Sequence, residues 1–242
     1  MLENREFAPE YAQQAYEHAV KKEVAIGDYF SECPLFESSP AHRKEMILLI
    51  ELLNTKKSYK LETFFLAVNI ADRYLQALAR QGAEAPSHVL LAVTAIMIAG
   101  KNNESMRPCF DYTALALPEL LRDKVSLQQF INLEIHILNL LQFDLTFDSP
   151  LFFLDRFLHL FGLDMKNSAV ANTAHSLCQF MKRESHFLRY KPSQMASASL
   201  IYAIHMINEK SNGNALPLIA EKIRENGLST ECVGDSYASL WT

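Results

Sequence analysis

Apolar positions along the chain recur at helical spacing almost throughout, and the alternation that marks half-buried strands is scarce. Residues 9–23 open with Pro9 at a helix-entry position and Glu10 in the first turn, with Tyr11, Ala15, His18 and Ala19 on one face. After a stretch holding Pro34 and Pro40, a helix is predicted over 41–57, striped by Met46, Leu49, Ile50 and Leu53. Another follows over 61–80, carrying Phe64, Phe65, Val68, Tyr74 and Leu75. Residues 87–101 are apolar on almost every side, the pattern of a helix surrounded by others. A short helix near 110–121 and a long one over 126–143, with Ser126 as N-cap, complete this half.

The second half repeats the layout. Pro86-Ser87 precedes the buried helix of the first half, and Pro192-Ser193 opens its counterpart, an offset of 106 residues. The same offset carries the first two helices onto helical patterns at 149–161 and 167–184, and the last onto a shorter pattern at 232–242 ending near Trp241. The expected fold is all-α: two tandem units of about five helices each, after an N-terminal helix. Residues 1–40 form the N-terminal helix and linker, 41–147 the first unit and 148–242 the second.

Composition narrows the function. The chain has 242 residues with only 7 Gly, against roughly 17 for ordinary usage, so positive-φ hairpin turns and glycine-rich phosphate loops are scarce. Its 23 basic and 28 acidic side chains give a net charge of −5, which disfavours a general nucleic-acid binder. Cys33, Cys109, Cys178 and Cys232 lie far apart without CxxC spacing, and read as thiols of a reducing compartment. No leader-like start and no uncharged apolar run of about 18 residues is present, so a soluble intracellular protein without a membrane partner is expected. The dinucleotide, P-loop, zinc-protease and nucleophile-elbow motifs are all missing. The expectation is a non-enzymatic helical scaffold with no cofactor and no metal, whose product is a binding surface.

Two charges stand out within apolar surroundings. Lys101 ends the most apolar helix, where a cation meets the negative end of the helix dipole. Glu134 is the one charge within LQQFINLEIHILNLL, and an isolated buried carboxylate is costly. From the residues alone, either an internal Lys101–Glu134 bridge or a role at an interface accounts for them.

The strings LETFFLAVNIADRYL (61–75), VTAIMIAGKNNE (93–104) and FINLEIHILNLLQFDLTFDSPLFFLDRF (130–157) resemble the cyclin box. The tandem arrangement resembles the two-box cyclins of the cell cycle, and YKPSQMASASL (190–200) the matching helix of the second box in A- and B-type members. The resemblance implies a regulatory subunit, without catalytic residues of its own, that binds and activates a cyclin-dependent serine/threonine kinase. It implies nuclear and cytoplasmic placement.

Carried over residue by residue, it implies kinase contacts at Lys101, Glu134, Leu138, Leu145 and Asn102, and a structural Arg43–Asp72 ion pair. The core leucine reading of Leu138 and Leu145 stands beside this. Departures from the family also carry meaning. The stretch that builds a substrate-docking groove in many cyclins has Leu49 in place of Trp and Leu52 in place of an acid, beside Met46. A basic docking peptide would lose its aromatic shelf and counter-charge there, so an altered groove is expected. Asn102 and Asn103 stand where an aromatic and an acid are common. No R-x-x-L run lies near the start, so a destruction signal of that kind is not expected in this sequence. The alternatives are a transcription-associated cyclin and a cyclin-fold transcription factor core of the TFIIB type; the latter would need a basic face.

Overall fold

A computed structural model describes residues 9–27, 29–32, 40–105, 126–160 and 168–211. Its elements are α1 (Pro9–Lys22), α2 (Tyr29–Glu32), α3 (Pro40–Lys56), α4 (Leu61–Gln81), α5 (His88–Asn103), α6 (Leu127–Leu140), α7 (Pro150–Leu160), α8 (Ala169–Arg183), a 3₁₀ turn (Ser185–Arg189) and α9 (Pro192–Ser211). The described residues contain no strand. The helices expected near 110–121 and 232–242, together with Cys33, Cys109 and Cys232, lie outside the described residues.

The described residues group into two compact units. The larger gathers α2 to α6 with residues 179–190, which include the end of α8 and the 3₁₀ turn. Its centre is α5, packed against α3, α4 and α6. Ala92, Ala95 and Ala99 are wholly buried there, and such small side chains let the neighbouring helices approach closely. Around α5 stand Met46, Ile47 and Ile50 of α3 and Phe64, Phe65 and Ile70 of α4, none more than 1% exposed. Each fully buried side chain of this size contributes roughly 1.5–3 kcal/mol.

Local chemistry sets the helix ends. Gly82 ends α4 at φ 63°, a left-handed value that glycine adopts without a Cβ clash, and its N–H donates to Ala79 O. Lys60 opens α4 without a side-chain cap. The Glu104 carboxylate serves instead, its Oε1 accepting from Lys60 N (2.9 Å) and Thr63 Oγ1 (2.5 Å). Ser126 opens α6 in a capping box: its Oγ accepts from Gln129 N (3.1 Å), and Gln129 Oε1 accepts from Ser126 N (3.0 Å). The apolar pattern runs on to Phe143, yet α6 stops at Leu140, because Gln142 and Phe143 take left-handed φ values of 53° and 56°.

The second unit contains α1, α7, the first part of α8 and α9. Tyr16 of α1 sets its ring edge-on to Phe153 (6.1 Å) and Phe157 (6.3 Å) of α7, and the Arg156 guanidinium lies 4.8 Å over the Tyr16 ring. Glu23 ties the chain after α1 to the start of α9, accepting from Ser193 N (3.0 Å) and Ser193 Oγ (2.7 Å). The Cys178 thiol is fully buried against Ser199 Oγ (3.0 Å), and burial pushes its pKa up to about 12, which makes it unreactive.

Candidate functional site

The end of α5 and one side of α6 form a half-exposed face. Lys101 Nζ lies 2.5 Å from Glu134 Oε1 and 5.7 Å from the centre of the Phe130 ring. The Lys101 side chain is 42% exposed and that of Glu134 17%. At helical spacing Leu127, Ile131, Glu134 and Leu138 share one side of α6, with Ile135 beside them. Leu127, Ile131 and Ile135 are exposed, and Leu138 and Leu145 are half-buried. One ion pair therefore sits in an open apolar stripe.

Asn102 is exposed and donates through Nδ2 to Asn103 Oδ1 (2.9 Å). Beyond α6 the Phe143 ring is 67% exposed. Nothing in the sequence marks it, because the apolar pattern of α6 runs straight through Phe143.

A second cluster in the same unit is buried. Arg43 of α3 meets Asp72 of α4 side-on, Nε to Oδ1 at 2.8 Å and Nη2 to Oδ2 at 2.9 Å, with side chains 1% and 0% exposed. Tyr29 OH donates to Asp72 Oδ1 (3.1 Å), and Lys182 Nζ lies 3.5 Å from Oδ2. Arg43 also donates to the carbonyl oxygens of Lys182 and Arg183, each at 3.1 Å, so it caps the C-terminal end of α8. Glu51 accepts from Gln179 Nε2 (2.8 Å) and pairs with Arg183, and Lys44 pairs with Glu184 (2.7 Å).

The cluster perturbs its members. Burial alone would raise the Asp72 pKa, but Arg43, then Lys182 and the Tyr29 hydroxyl, hold it below the ordinary carboxylate value. Burial, with Arg43 adding repulsion, holds Lys182 below the usual lysine value despite Asp72. Burial and then the Asp72 charge push Tyr29 well above the ordinary 10.0. Its neutral form is thus favoured by folding, so the stability it contributes is full below pH 10.0 and is lost as pH rises from there toward the folded-state value. Tyr29→Phe should flatten that alkaline decline, at a cost near neutrality of about 1–2 kcal/mol for the lost hydrogen bond. Urea unfolding between pH 7 and 11 checks both.

Of the groove residues, Met46 (1% exposed) and Leu49 (9%) lie in the core, and Leu52 is exposed at 40% with Leu48 near it on α3. The neighbouring surface is polar: the His42 and His88 rings stack at 5.7 Å, and Glu45 Oε2 lies 3.6 Å from His88 Nε2. Among the described residues no group of three or more His, Cys, Asp or Glu is placed to hold a metal ion. None of their helices is long and apolar enough to cross a membrane.

The family profile described as "Cyclin, N-terminal domain" matches residues 13–146, and "Cyclin, C-terminal domain" matches 149–233. The chain belongs to the cyclin family. The G2/mitotic-specific cyclin-B3 of Gallus gallus is 27% identical to this cyclin over 203 residues, which is 82% of this chain and 47% of the relative. The G2/mitotic-specific cyclin-B of Dictyostelium discoideum is 32% identical over 68% of this chain and 36% of the relative. This cyclin thus spans less than half the length of both. The crystal structure of a viral cyclin from herpesvirus saimiri superimposes with a TM-score of 0.63, covering 96% of this chain and 99% of that one at 15% identity, and so shares its fold. The tandem cyclin-box architecture explains the repeated layout of the helices.

Proposed function

We propose that this cyclin is the regulatory subunit of a cyclin-dependent serine/threonine kinase in cell-cycle control, and that it binds through the face around Lys101 and Glu134. The observation that carries the reading is an ion pair in an otherwise apolar, half-open stripe of α5 and α6. An exposed pair of this kind adds little to the stability of a free protein. Covered by a partner, a charge pair set in apolar surroundings becomes selective and energetically important. Leu138 and Leu145 supply apolar contacts beside it, and Asn102 a polar one.

The chain contributes no reacting group in this reading. It binds the active arrangement of the kinase better than the inactive one, favouring the position of the kinase helix that completes its Lys–Glu pair and orders the activation segment. Residues 41–147 and 148–242 serve as the two boxes after an N-terminal 1–40 segment, and the complex works in nucleus and cytoplasm. Calorimetric titration of the chain into a purified cyclin-dependent kinase subunit tests the reading. A one-to-one complex is expected, and absence of heat or complex at micromolar concentrations contradicts it.

Substrate docking is altered in this reading. Leu49 supplies no aromatic shelf and Leu52 no counter-charge, while His42, Glu45 and His88 make the adjoining surface polar. A basic peptide ending in an apolar docking residue should bind the Leu52→Glu variant several-fold more tightly than wild type, since position 52 is exposed and the new carboxylate restores the counter-charge, as read by fluorescence anisotropy.

A further inference from the structure

The second unit joins α7 to α8 through a histidine whose two ring nitrogens both meet acceptors. His175 Nδ1 lies 2.8 Å from Ala171 O, one turn back on α8, and Nε2 lies 3.1 Å from Asp155 Oδ1 of α7. A carbonyl and an ionised carboxylate accept hydrogen bonds and cannot donate them. Both nitrogens therefore need a hydrogen for both bonds to form, and only the imidazolium carries two. A neutral ring with its hydrogen on Nδ1 would turn the Nε2 lone pair toward the Asp155 charge. One with its hydrogen on Nε2 would set its other lone pair against the Ala171 oxygen.

Packing makes this link matter. The fully buried side chains of α8 in this unit are small: Ala171, Ala174 and Cys178, each 0% exposed. They remove far less apolar area from water than Phe153, Leu154, Phe157 and Leu158 of α7, so a polar tie carries more of the hold on α8. The His175 side chain is 25% exposed and that of Asp155 38%, so solvent weakens their attraction without abolishing it. Arg156, the next residue on α7, is turned toward α1, donating to Gln13 Oε1 (2.6 Å) with its guanidinium 4.8 Å over the Tyr16 ring. The Cys178 thiol, one turn beyond His175, meets the Ser199 hydroxyl of α9. Burial first, with the Asp155 charge adding to it, pushes that thiol up to about 12, so it stays neutral. His159 stands one turn beyond Asp155 on α7, and Tyr202 and His205 follow on α9.

We propose that His175 is a proton-dependent latch of the second unit: as the imidazolium it ties Asp155 of α7 to the Ala171 carbonyl of α8, and release of its Nε2 proton to solvent undoes the tie to α7. The direction follows from linkage. The folded chain holds the second proton more tightly than the unfolded chain does. The latch therefore contributes in full below the ordinary histidine value of about 6.5, and its contribution is lost as pH rises through the higher folded-state value. That window reaches neutral pH, so the first turns of α8 open more readily on its alkaline side. Lys101 and Glu134 belong to the other unit, and the inference does not depend on the kinase-binding reading.

NMR of the histidine rings in the full chain, followed from pH 5 to 9, tests this together with amide hydrogen exchange. The His175 ring should titrate at least about half a pH unit above 6.5, and the Asp155→Asn variant should bring its midpoint back by about that much. Half a pH unit is a factor of about three in an equilibrium. Protection of the amides of residues 172–178, corrected for intrinsic exchange, should accordingly fall about threefold between pH 6 and pH 8.5 in wild type. It should stay level in His175→Gln, whereas His159→Asn and His205→Asn should follow wild type. A wild-type His175 midpoint at or below 6.5, a midpoint that Asp155→Asn leaves in place, a fall in protection that persists in His175→Gln, or one that His159→Asn or His205→Asn abolishes overturns the inference. The wild-type titration needs no substitution, so it decides the matter even where a variant fails to fold.

Discussion

Arg43→Met should destabilise the protein by about 3–5 kcal/mol, a loss large enough to abolish folding in a marginal background. The substitution leaves the Asp72 carboxylate, 0% exposed, without its side-on partner. Lys182 at 3.5 Å and the Tyr29 hydroxyl at 3.1 Å then remain beside it. It also strips the Lys182 and Arg183 carbonyls of their donor at the end of α8. Asp72→Asn should cost a comparable amount, because Arg43 and Lys182 would then be two buried cations without a counter-charge. The pair Arg43→Met/Asp72→Leu should cost clearly less than the sum of the single changes, since neither member of the pair is left unpaired and only Lys182 loses a counter-charge. Urea unfolding midpoints at pH 7 measure all of these. The pH dependence has a defined sign. The folded-state pKa of Asp72 is depressed, so its contribution is complete above the ordinary carboxylate value of 3.8 and disappears as pH falls through the lower folded value.

Glu134→Ala should leave folding nearly untouched and weaken the kinase complex about 100-fold. With Lys101 42% exposed, the Lys101–Glu134 pair contributes at most about 1 kcal/mol to the free chain. Buried beneath a partner, loss of one member costs about 2–5 kcal/mol, because the other is left desolvated and unpaired. The contrast separates the two readings that the sequence leaves open. A bridge that serves only the fold would show its effect in unfolding and leave affinity alone; an interface pair does the reverse. Lys101→Ala should follow the same pattern with a smaller loss of affinity, its more exposed head being cheaper to remove. Calorimetric titration beside urea unfolding of the same variants reads both quantities.

Most of the helical layout was legible from periodicity because α3, α4 and α7 to α9 each bury a continuous stripe and α5 nearly its whole surface. The limits of that reading are local. Helix α2 and the 3₁₀ turn are too short to show a period. The end of α6 was overrun because Leu141 and Phe143 continue the apolar pattern, whereas the backbone turns left-handed at Gln142. Glu134 was conspicuous as a lone charge in an apolar stretch. Tyr29 and Lys182 were not, since only the fold brings a hydroxyl 43 positions away, and an ammonium from the second half of the chain, onto Asp72. The roles of Arg43 and Asp72 came from the family resemblance, as a charge at either position is ordinary within an amphipathic helix. Phe143 shows the same limit: exposure and strain are properties of the folded turn, and neither leaves a trace in residue type.

In the proposed function this cyclin activates a kinase through the face around Lys101 and Glu134. It is tested most directly by the rate at which a purified cyclin-dependent kinase phosphorylates histone H1 with the wild-type chain, with Glu134→Ala, and with no cyclin. The expected result is a rate raised at least about 100-fold by wild type, with most of that gain lost for Glu134→Ala at equal, sub-saturating concentration. Equal rates with and without the wild-type chain, or full activation by Glu134→Ala, would contradict it.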